Sequence, residues 1–249
     1  MPLSHAQRKA ITVLHRKKGR VAQGQFLVEG VKSVADLLAS PWKVHSLFAT
    51  EAWKAPLDLQ VPLIRVTDEE LQRVSTLEKA QHVLAVGILP TSTSPSLPDQ
   101  GRILALDGVQ DPGNLGTLIR IADWFGVDAV VCSLDCADCF NPKVVQATMG
   151  SLFRVPVFHT DLVAYLKHLP TAFFRAGAFT QGDNLFQTSL PAHGVLVLGN
   201  EGQGIRPETE QRLNLKVTIP RLGRAESLNV ATAAAVICSE WTRGQLLVS

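Results

Sequence analysis

The sequence predicts an α/β protein: a mostly parallel sheet covered on both faces, preceded by a smaller α/β sandwich. Three observations carry that prediction. Short apolar strands alternate with helical segments along residues 102–249, the pattern of a sheet buried on both sides. The stretch LPTSTSPSLPDQ (89–100) lies between two apolar runs and is rich in Pro, Ser and Thr, as an interdomain linker is. Each side of it is long enough to bury a core of its own. The chain therefore divides into 1–90, a linker at 91–101, and 102–249.

The elements follow in order. A basic N-terminal helix leads to a strand, FLVEG (26–30), and a helix, VKSVADLLAS (31–40). VHSLFAT (44–50), PLIRVT (62–67) and VLAVGIL (83–89) read as strands, with a short helix at DEELQRV (68–74). Beyond the linker, strands are expected at ILALD (103–107), DAVVCS (128–133), RVPVF (154–158), AFFRAGAF (172–179), GVLVLG (194–199) and KVTIP (216–220). Helices are expected at NLGTLIRIADWFG (114–126), PKVVQATM (142–149), DLVAYLKHL (161–169), PETEQRL (207–213) and 227–243. Sheets of this kind bind ligands beyond the carboxyl ends of their strands.

Composition excludes several classes. With 46% hydrophobic and 18% charged residues the chain is not disordered, and 18 Gly without a triplet period are not collagen-like. The N-terminus MPLSHAQRKA lacks an apolar signal region, and no run approaches the roughly 20 apolar residues of a membrane span. The cytosol is the expected compartment, and Cys132, Cys136, Cys139 and Cys238 are expected as reduced thiols. The spacing C-x3-C-x2-C invites a metal, but no second pair completes a four-ligand zinc set, so no metal is expected.

The net charge of +2 conceals an asymmetry. Residues 1–90 carry 12 Lys and Arg against 8 acids, and the remainder 12 against 14. Arg8, Lys9, Arg16, Lys17, Lys18 and Arg20 fall within the first twenty residues with no acid among them. Such a run meets phosphate, or is a solvated face.

Three loops carry candidate chemistry. DGVQDPGNLGTLIR (107–120) leaves a buried strand and starts a helix near Asn114, a good helix cap. Arg120 follows among Leu118, Ile119 and Ile121. It needs an anionic partner, either Asp123 at i+3 or RNA. VLVLGNEGQGI (195–205) ends a strand in a glycine turn whose amides suit an anion or an adenosine edge, with Glu201 at its centre. Its order, G-x-x-G-x-G, is not the dinucleotide fingerprint. IPRLGRAESLNVATAAAVICSEW (219–241) leads from a strand to a helix dense in small residues, with Ser227 as the expected cap.

In that order PGNLGTLIR (112–120), LGNEGQG (198–204) and PRLGRAESLNV (220–230) resemble the SpoU/TrmH family of RNA 2′-O-ribose methyltransferases, of the SPOUT superfamily. FNPKVVQATMGSLFRVP (140–156) resembles the stretch between the first two motifs. HAQRKAITVLHRKKGRVAQGQFLVEGVKSVADLL (5–38) resembles the ribosomal-protein-like substrate-binding domain that many members carry. The resemblance implies an α/β fold with a deep trefoil knot and a homodimer with its active site at the interface. It also implies S-adenosylmethionine bound in a bent form. Cofactor contacts would fall on Gly199, Ile219 and Leu228, with Leu198, Asn200 and Ser227 nearby. Asn114, Arg120, Glu201, Ser227 and Asn229 match positions tied to catalysis or its framework. Two positions depart from the pattern: Gln146 stands where Arg is common, and Arg221 where Met is common.

The implied reaction is 2′-O-methylation of a ribose in structured RNA, with ribosomal RNA ahead of transfer RNA. An arginine is a poor base, so Arg120 is expected to clamp phosphate and stabilise charge on the oxygen. A SPOUT-fold RNA-binding protein without catalysis is the competing reading, and the retained Asn114, Arg120 and Ser-Leu-Asn triplet weigh against it.

Overall fold

The computed structural model describes the backbone of residues 3–90 and 101–246 and the side chains of 3–90 and 101–243. The linker expected at 91–101 lies, apart from Gly101, outside the described residues. Packing divides the chain into two compact units, one within 1–92 plus 138–154 and the other within 93–137 plus 155–249.

The first unit begins with α1 (His5–Val13), opened by reciprocal hydrogen bonds between Ser4 and Gln7. The basic segment is not one helix. It turns after α1 and resumes as α2 (Lys17–Gln23). Gly19 permits the turn: a Cβ there would stand 1.9 Å from the Val13 carbonyl oxygen. The unit continues through β1 (Gln25–Glu29), α3 (Val31–Leu38), β2 (Val44–Ala49), β3 (Leu63–Arg65), α4 (Asp68–Val74) and β4 (Val83–Ile88). The strands form a mixed sheet in the order β1-β4-β2-β3, with only β2 and β3 parallel.

Strand pleating sends alternate side chains of β1 to opposite faces. Leu27 joins Ile11, Leu14, Leu71 and Val74 in one core. Phe26 joins Trp42, Phe140 and Phe153 in an aromatic cluster with ring centroids 5.1–6.5 Å from it. Residues 138–154 are thus part of this unit's core. Glu29, the acid of FLVEG, is buried and accepts from the Thr76 amide at 2.9 Å and from both the Ser75 and Thr76 hydroxyls.

The second unit is built from β5 (Arg102–Asp107), α5 (Pro112–Trp124) and β6 (Ala129–Ser133). Next in sequence comes α6 (Pro142–Thr148), which packs in the first unit. The second unit resumes with β7 (Val157–Thr160), α7 (Leu162–His168), β8 (Arg175–Asn184), β9 (Gly194–Gly199), α8 (Pro207–Glu210), β10 (Leu215–Thr218) and α9 (Val230–Leu246). Its six strands run parallel in the order β10-β8-β9-β5-β6-β7. Ile103, Ala105, Val131, Val195 and Val197 fill one core face together with Leu162 and Leu166 of α7. Strand order reverses between β5 and β9, where Asp107 and Gly199 are register partners. A crevice beyond the carboxyl ends of those two strands is where open α/β sheets take ligands.

Among the described residues no helix is long and apolar enough to cross a membrane. All four cysteines are buried and none forms a disulfide, and no cluster of three or more His, Cys, Asp or Glu among the described residues is placed to hold a metal.

Candidate active site

Three loops leave the carboxyl edge of the second unit's sheet. The first follows β5. Gly108 takes φ +75°, and the chain then enters α5 with Asp111, not Asn114, as its cap. The Asp111 Oδ1 accepts from the Asn114 amide at 2.8 Å. Pro112 at the first helical position explains the shift. Its ring presets a helical φ, and it lacks the N–H that a first-turn residue leaves unpaired. Asn114 therefore lies inside the first turn, with its side chain free for other work.

The second loop follows β9. Asn200 and Gly204 exchange backbone hydrogen bonds of 3.0 and 2.9 Å, closing a tight turn with Glu201, Gly202 and Gln203 exposed at its tip. The Asn200 side chain bonds both within this turn and to the β5–α5 loop. Its Nδ2 donates to the Gly108 carbonyl at 2.7 Å, and its Oδ1 accepts from the Gly202 and Gln203 amides at 2.9 and 3.1 Å. Gly199 has to be glycine, because a Cβ would lie 2.1 Å from the Gly204 carbonyl carbon. Leu198 is buried and faces the core.

The third loop joins β10 to α9. Residues 221–229 are exposed, and no backbone–backbone hydrogen bond joins 219–228 to other described residues. Leu222 is wholly exposed and Leu228 half exposed, and Arg221 folds back to the Ala225 carbonyl at 3.2 Å. The cap of α9 is Asn229 rather than Ser227: the Asn229 Oδ1 accepts from the Ala231 and Thr232 amides at 2.9 and 3.3 Å. The helix accordingly begins at Val230, later than the sequence suggests.

The loops meet through side chains. The Asn229 Nδ2 donates to the Asn114 Oδ1 at 3.0 Å, and the Asn114 Nδ2 donates to the Glu201 Oε1 at 2.8 Å. One residue from each motif thus stands in a single hydrogen-bonded row. Arg120 is exposed on α5, about 9 Å along the axis from Asn114 at 1.5 Å per residue. It has no hydrogen bond or ion pair among the described residues, so it offers its guanidinium to solvent or to a ligand. Ser227 is exposed beside Leu228, and Ile219 is half-buried at the end of β10.

In the first unit Lys9, Arg16, Lys17 and Lys18 are exposed and Arg8 is half-buried. Arg20 is different: only 2% exposed, it donates to the Leu14 and His15 carbonyls at 2.9 and 3.1 Å and pairs with Asp138. Its charge is used in holding the α1–α2 turn, not displayed on the surface.

Sequence reasoning missed a charged cluster under the glycine turn, where Asp107, Arg206, Asp135 and Ser133 connect. A carboxylate closing an apolar strand at Asp107 was the only signal available for it.

A model of the SpoU rRNA methylase family matches residues 101–239. The chain belongs to that family. A second model, for an MRM3-like substrate binding domain, matches residues 6–85. Among relatives of this SpoU protein, the 23S rRNA (guanosine(2553)-2′-O)-methyltransferase RlmP of Bacillus subtilis is 35% identical, over 90% of this chain and 91% of its own length. A putative TrmH-family RNA methyltransferase from Porphyromonas gingivalis has a similar structure, with a TM-score of 0.89 and 38% identity over 98% of this chain and all of its own. An AdoMet-bound rRNA methyltransferase from Sinorhizobium meliloti superposes with a TM-score of 0.87 at 27% identity, over 98% and 97% of the two chains.

Proposed function

We propose that this SpoU protein transfers a methyl group from S-adenosylmethionine to a ribose 2′-oxygen in ribosomal RNA. The observation that carries the reading is the row Asn229–Asn114–Glu201, which ties the three family motifs together at the switch point of a parallel sheet. The activity named for the Bacillus subtilis relative and the AdoMet bound by the Sinorhizobium meliloti protein support it.

The residues present fit the cofactor. Gly199 lets the glycine turn close against the end of β9, and in the loop 219–228 no backbone–backbone hydrogen bond to other described residues uses the donors and acceptors. Exposed Leu222 and Leu228 supply apolar surface for a purine ring. Gly199, Ile219 and Leu228 would hold the cofactor through backbone groups, with Leu198, Asn200 and Ser227 adjoining. When bound, it supplies an electrophilic methyl group.

The chain's own contribution is placement and charge. Asn114 and Asn229 fix the loops, Glu201 anchors the glycine turn, and Ser227 lines the loop. Arg120 presents an exposed planar guanidinium, so it holds an RNA phosphate and stabilises negative charge as the hydroxyl loses its proton. The exposed cations Lys9, Arg16, Lys17 and Lys18 dock the RNA backbone. The finer expectations belong to the same reading: a trefoil-knotted C-terminal chain, a cytoplasmic setting, and a homodimer. Exposed Trp124, and a groove lined by exposed Phe186 with Phe125, Ala235 and Val236, support the dimer.

Ribose-methylation maps of RNA from cells with and without the gene test the proposal. A single 2′-O-methyl mark on ribosomal RNA should vanish and return with the wild-type protein but not with Arg120→Ala. Unchanged maps would exclude the activity, and a lost mark on transfer RNA would change the substrate.

A further inference from the structure

Beneath the glycine turn lies a cluster of charges to which methyl transfer assigns no role. Asp107 ends β5 with its side chain fully enclosed. Its Oδ2 accepts from the Arg206 amide at 2.9 Å, and its Oδ1 accepts from the Arg206 Nε at 2.7 Å and also from Nη2. The same guanidinium reaches Asp135 at 3.5 Å. Asp135 accepts from the Ser133 hydroxyl at 2.6 Å, and the Ser133 Oγ accepts from the Gly108 amide at 2.9 Å.

A gain in stability is a weak explanation for this arrangement. Enclosing a carboxylate costs several kcal/mol, and well-packed apolar side chains of similar volume commonly do as well or better. What this arginine–carboxylate fork adds is direction: Nε and Nη2 converge on Oδ1 while the backbone amide of the same residue holds Oδ2, so three donors fix the angle as well as the distance. Arg206 lies two residues past Gly204, where the glycine turn closes, and Asn200 opens it. The turn is therefore pinned to the β5–α5 loop at both ends: Asn200 to the Gly108 carbonyl, and Arg206 to Asp107. Glu201 sits between the two pins.

We infer that Asp107 and Arg206 are positioning residues: their fork sets the height of the turn 200–205 over β5. It thereby sets both the reach of Glu201 to Asn114 and the backbone against which the cofactor lies. The cofactor half of this inference rests on the methyltransferase reading; the ordering of the turn does not. Asp135 braces the outer edge of the guanidinium. The Asp107 hydrogen bond, against the opposing effect of burial and aided by the charges of both carboxylates, raises the arginine's pKa above its ordinary value.

The test is the double variant Asp107→Leu with Arg206→Met in the full-length protein. It removes both charges of the buried pair together, leaves only the residue-206 amide and the outer edge of Asp135 without their partner, and is expected to lower Tm modestly without unfolding the protein. Amide hydrogen exchange at Gly202 and Gln203, both bonded to Asn200, should accelerate at least tenfold. Leu104 and Ala105 of β5 should keep wild-type protection. Calorimetry should find S-adenosylmethionine bound at least tenfold more weakly than by wild type. Arg206→Lys, which keeps the charge but loses the fork, should show the same split more mildly and serves if the double variant misfolds. Wild-type exchange at Gly202 and Gln203 would overturn the clamp, and loosened amides with unchanged cofactor affinity would overturn its role in shaping the cofactor site. A wild-type protein that binds no S-adenosylmethionine would instead overturn the methyltransferase reading, and the exchange rates would still decide whether the fork orders the turn.

Discussion

The Asn114 Nδ2 donates to the Glu201 Oε1 across 2.8 Å, joining two residues 87 positions apart in sequence. This bond couples the first turn of α5 to the tip of the glycine turn. Because its acceptor is charged, losing it costs about 1.5–3 kcal/mol, roughly 10- to 150-fold in an equilibrium or rate. Asn114→Ala should lower kcat by that factor. Glu201→Gln keeps an acceptor oxygen and should cost about tenfold or less. Single-turnover methylation of the RNA checks both, and a Glu201→Gln loss equal to that of Asn114→Ala would show that the charge itself is required.

Arg120 makes no bond to described residues, so its removal leaves the fold undisturbed. Arg120→Ala should retain the wild-type Tm and S-adenosylmethionine affinity. Its kcat should fall by about 10²-fold or more, the usual loss when a preorganised charge-stabilising donor is deleted. Arg120→Lys should recover only part of the rate, because a point charge replaces a planar fork. Near-wild-type turnover by Arg120→Ala would end its assignment to charge stabilisation.

Gly199 is fixed by sterics rather than by backbone dihedral preference. A Cβ would fall 2.1–2.4 Å from the backbone of Gly204 and Ile205, too close for any relaxation short of opening the turn. Gly199→Ala should abolish cofactor binding in calorimetry while circular dichroism stays native. Retained micromolar affinity would mean that the turn is not part of the cofactor site.

The strands were legible because ILALD and GVLVLG are continuous apolar runs of strand length, and a buried parallel strand has no other signature. The motif loops were legible because glycine, proline and asparagine mark chain reversals. Local reading failed where the partner was distant. Asn114 looks like a cap until Pro112 moves the cap to Asp111, and Ser227 looks like one until Asn229 takes that place. Arg20 reads as one cation in a basic run, but its partner Asp138 is 118 residues away. Asp107 and Arg206 are 99 apart, and nothing local marks them as a pair.

The Cys136 thiol makes the fold pH-sensitive near neutrality. Its Sγ donates to the Leu106 carbonyl at 3.3 Å and lies 3.4 Å from the Ser133 hydroxyl. A hydrogen bond from Cys132, against the opposing effect of burial, brings its pKa from 9.0 down to about 7. The folded value lies below the unfolded one, so the stabilisation is full above the unfolded pKa and is lost as pH falls through about 7. Between pH 7 and about 9 Tm should rise for wild type relative to Cys136→Ala. Parallel curves for the two proteins would show that the thiol does not titrate there.

The division of labour between the units is best tested by point substitution, because residues 138–154 belong to the first unit's core. Deleting residues 1–90 would strip Phe140 and Phe153 of their partners Phe26 and Trp42 and leave Asp138 without Arg20. Such a truncation should aggregate, and a soluble, cofactor-binding truncation would contradict that packing. Lys17→Ala with Lys18→Ala changes only exposed side chains. This pair should weaken RNA binding and flatten the dependence of log K on log salt by up to about 0.9 for each phosphate no longer neutralised. S-adenosylmethionine affinity should not change. Arg20→Ala should behave differently: it breaks a buried pair, at a cost of about 3–5 kcal/mol, and should lower Tm before it alters the salt slope. Equal salt slopes for wild type and the lysine pair would move the RNA-docking surface away from α2.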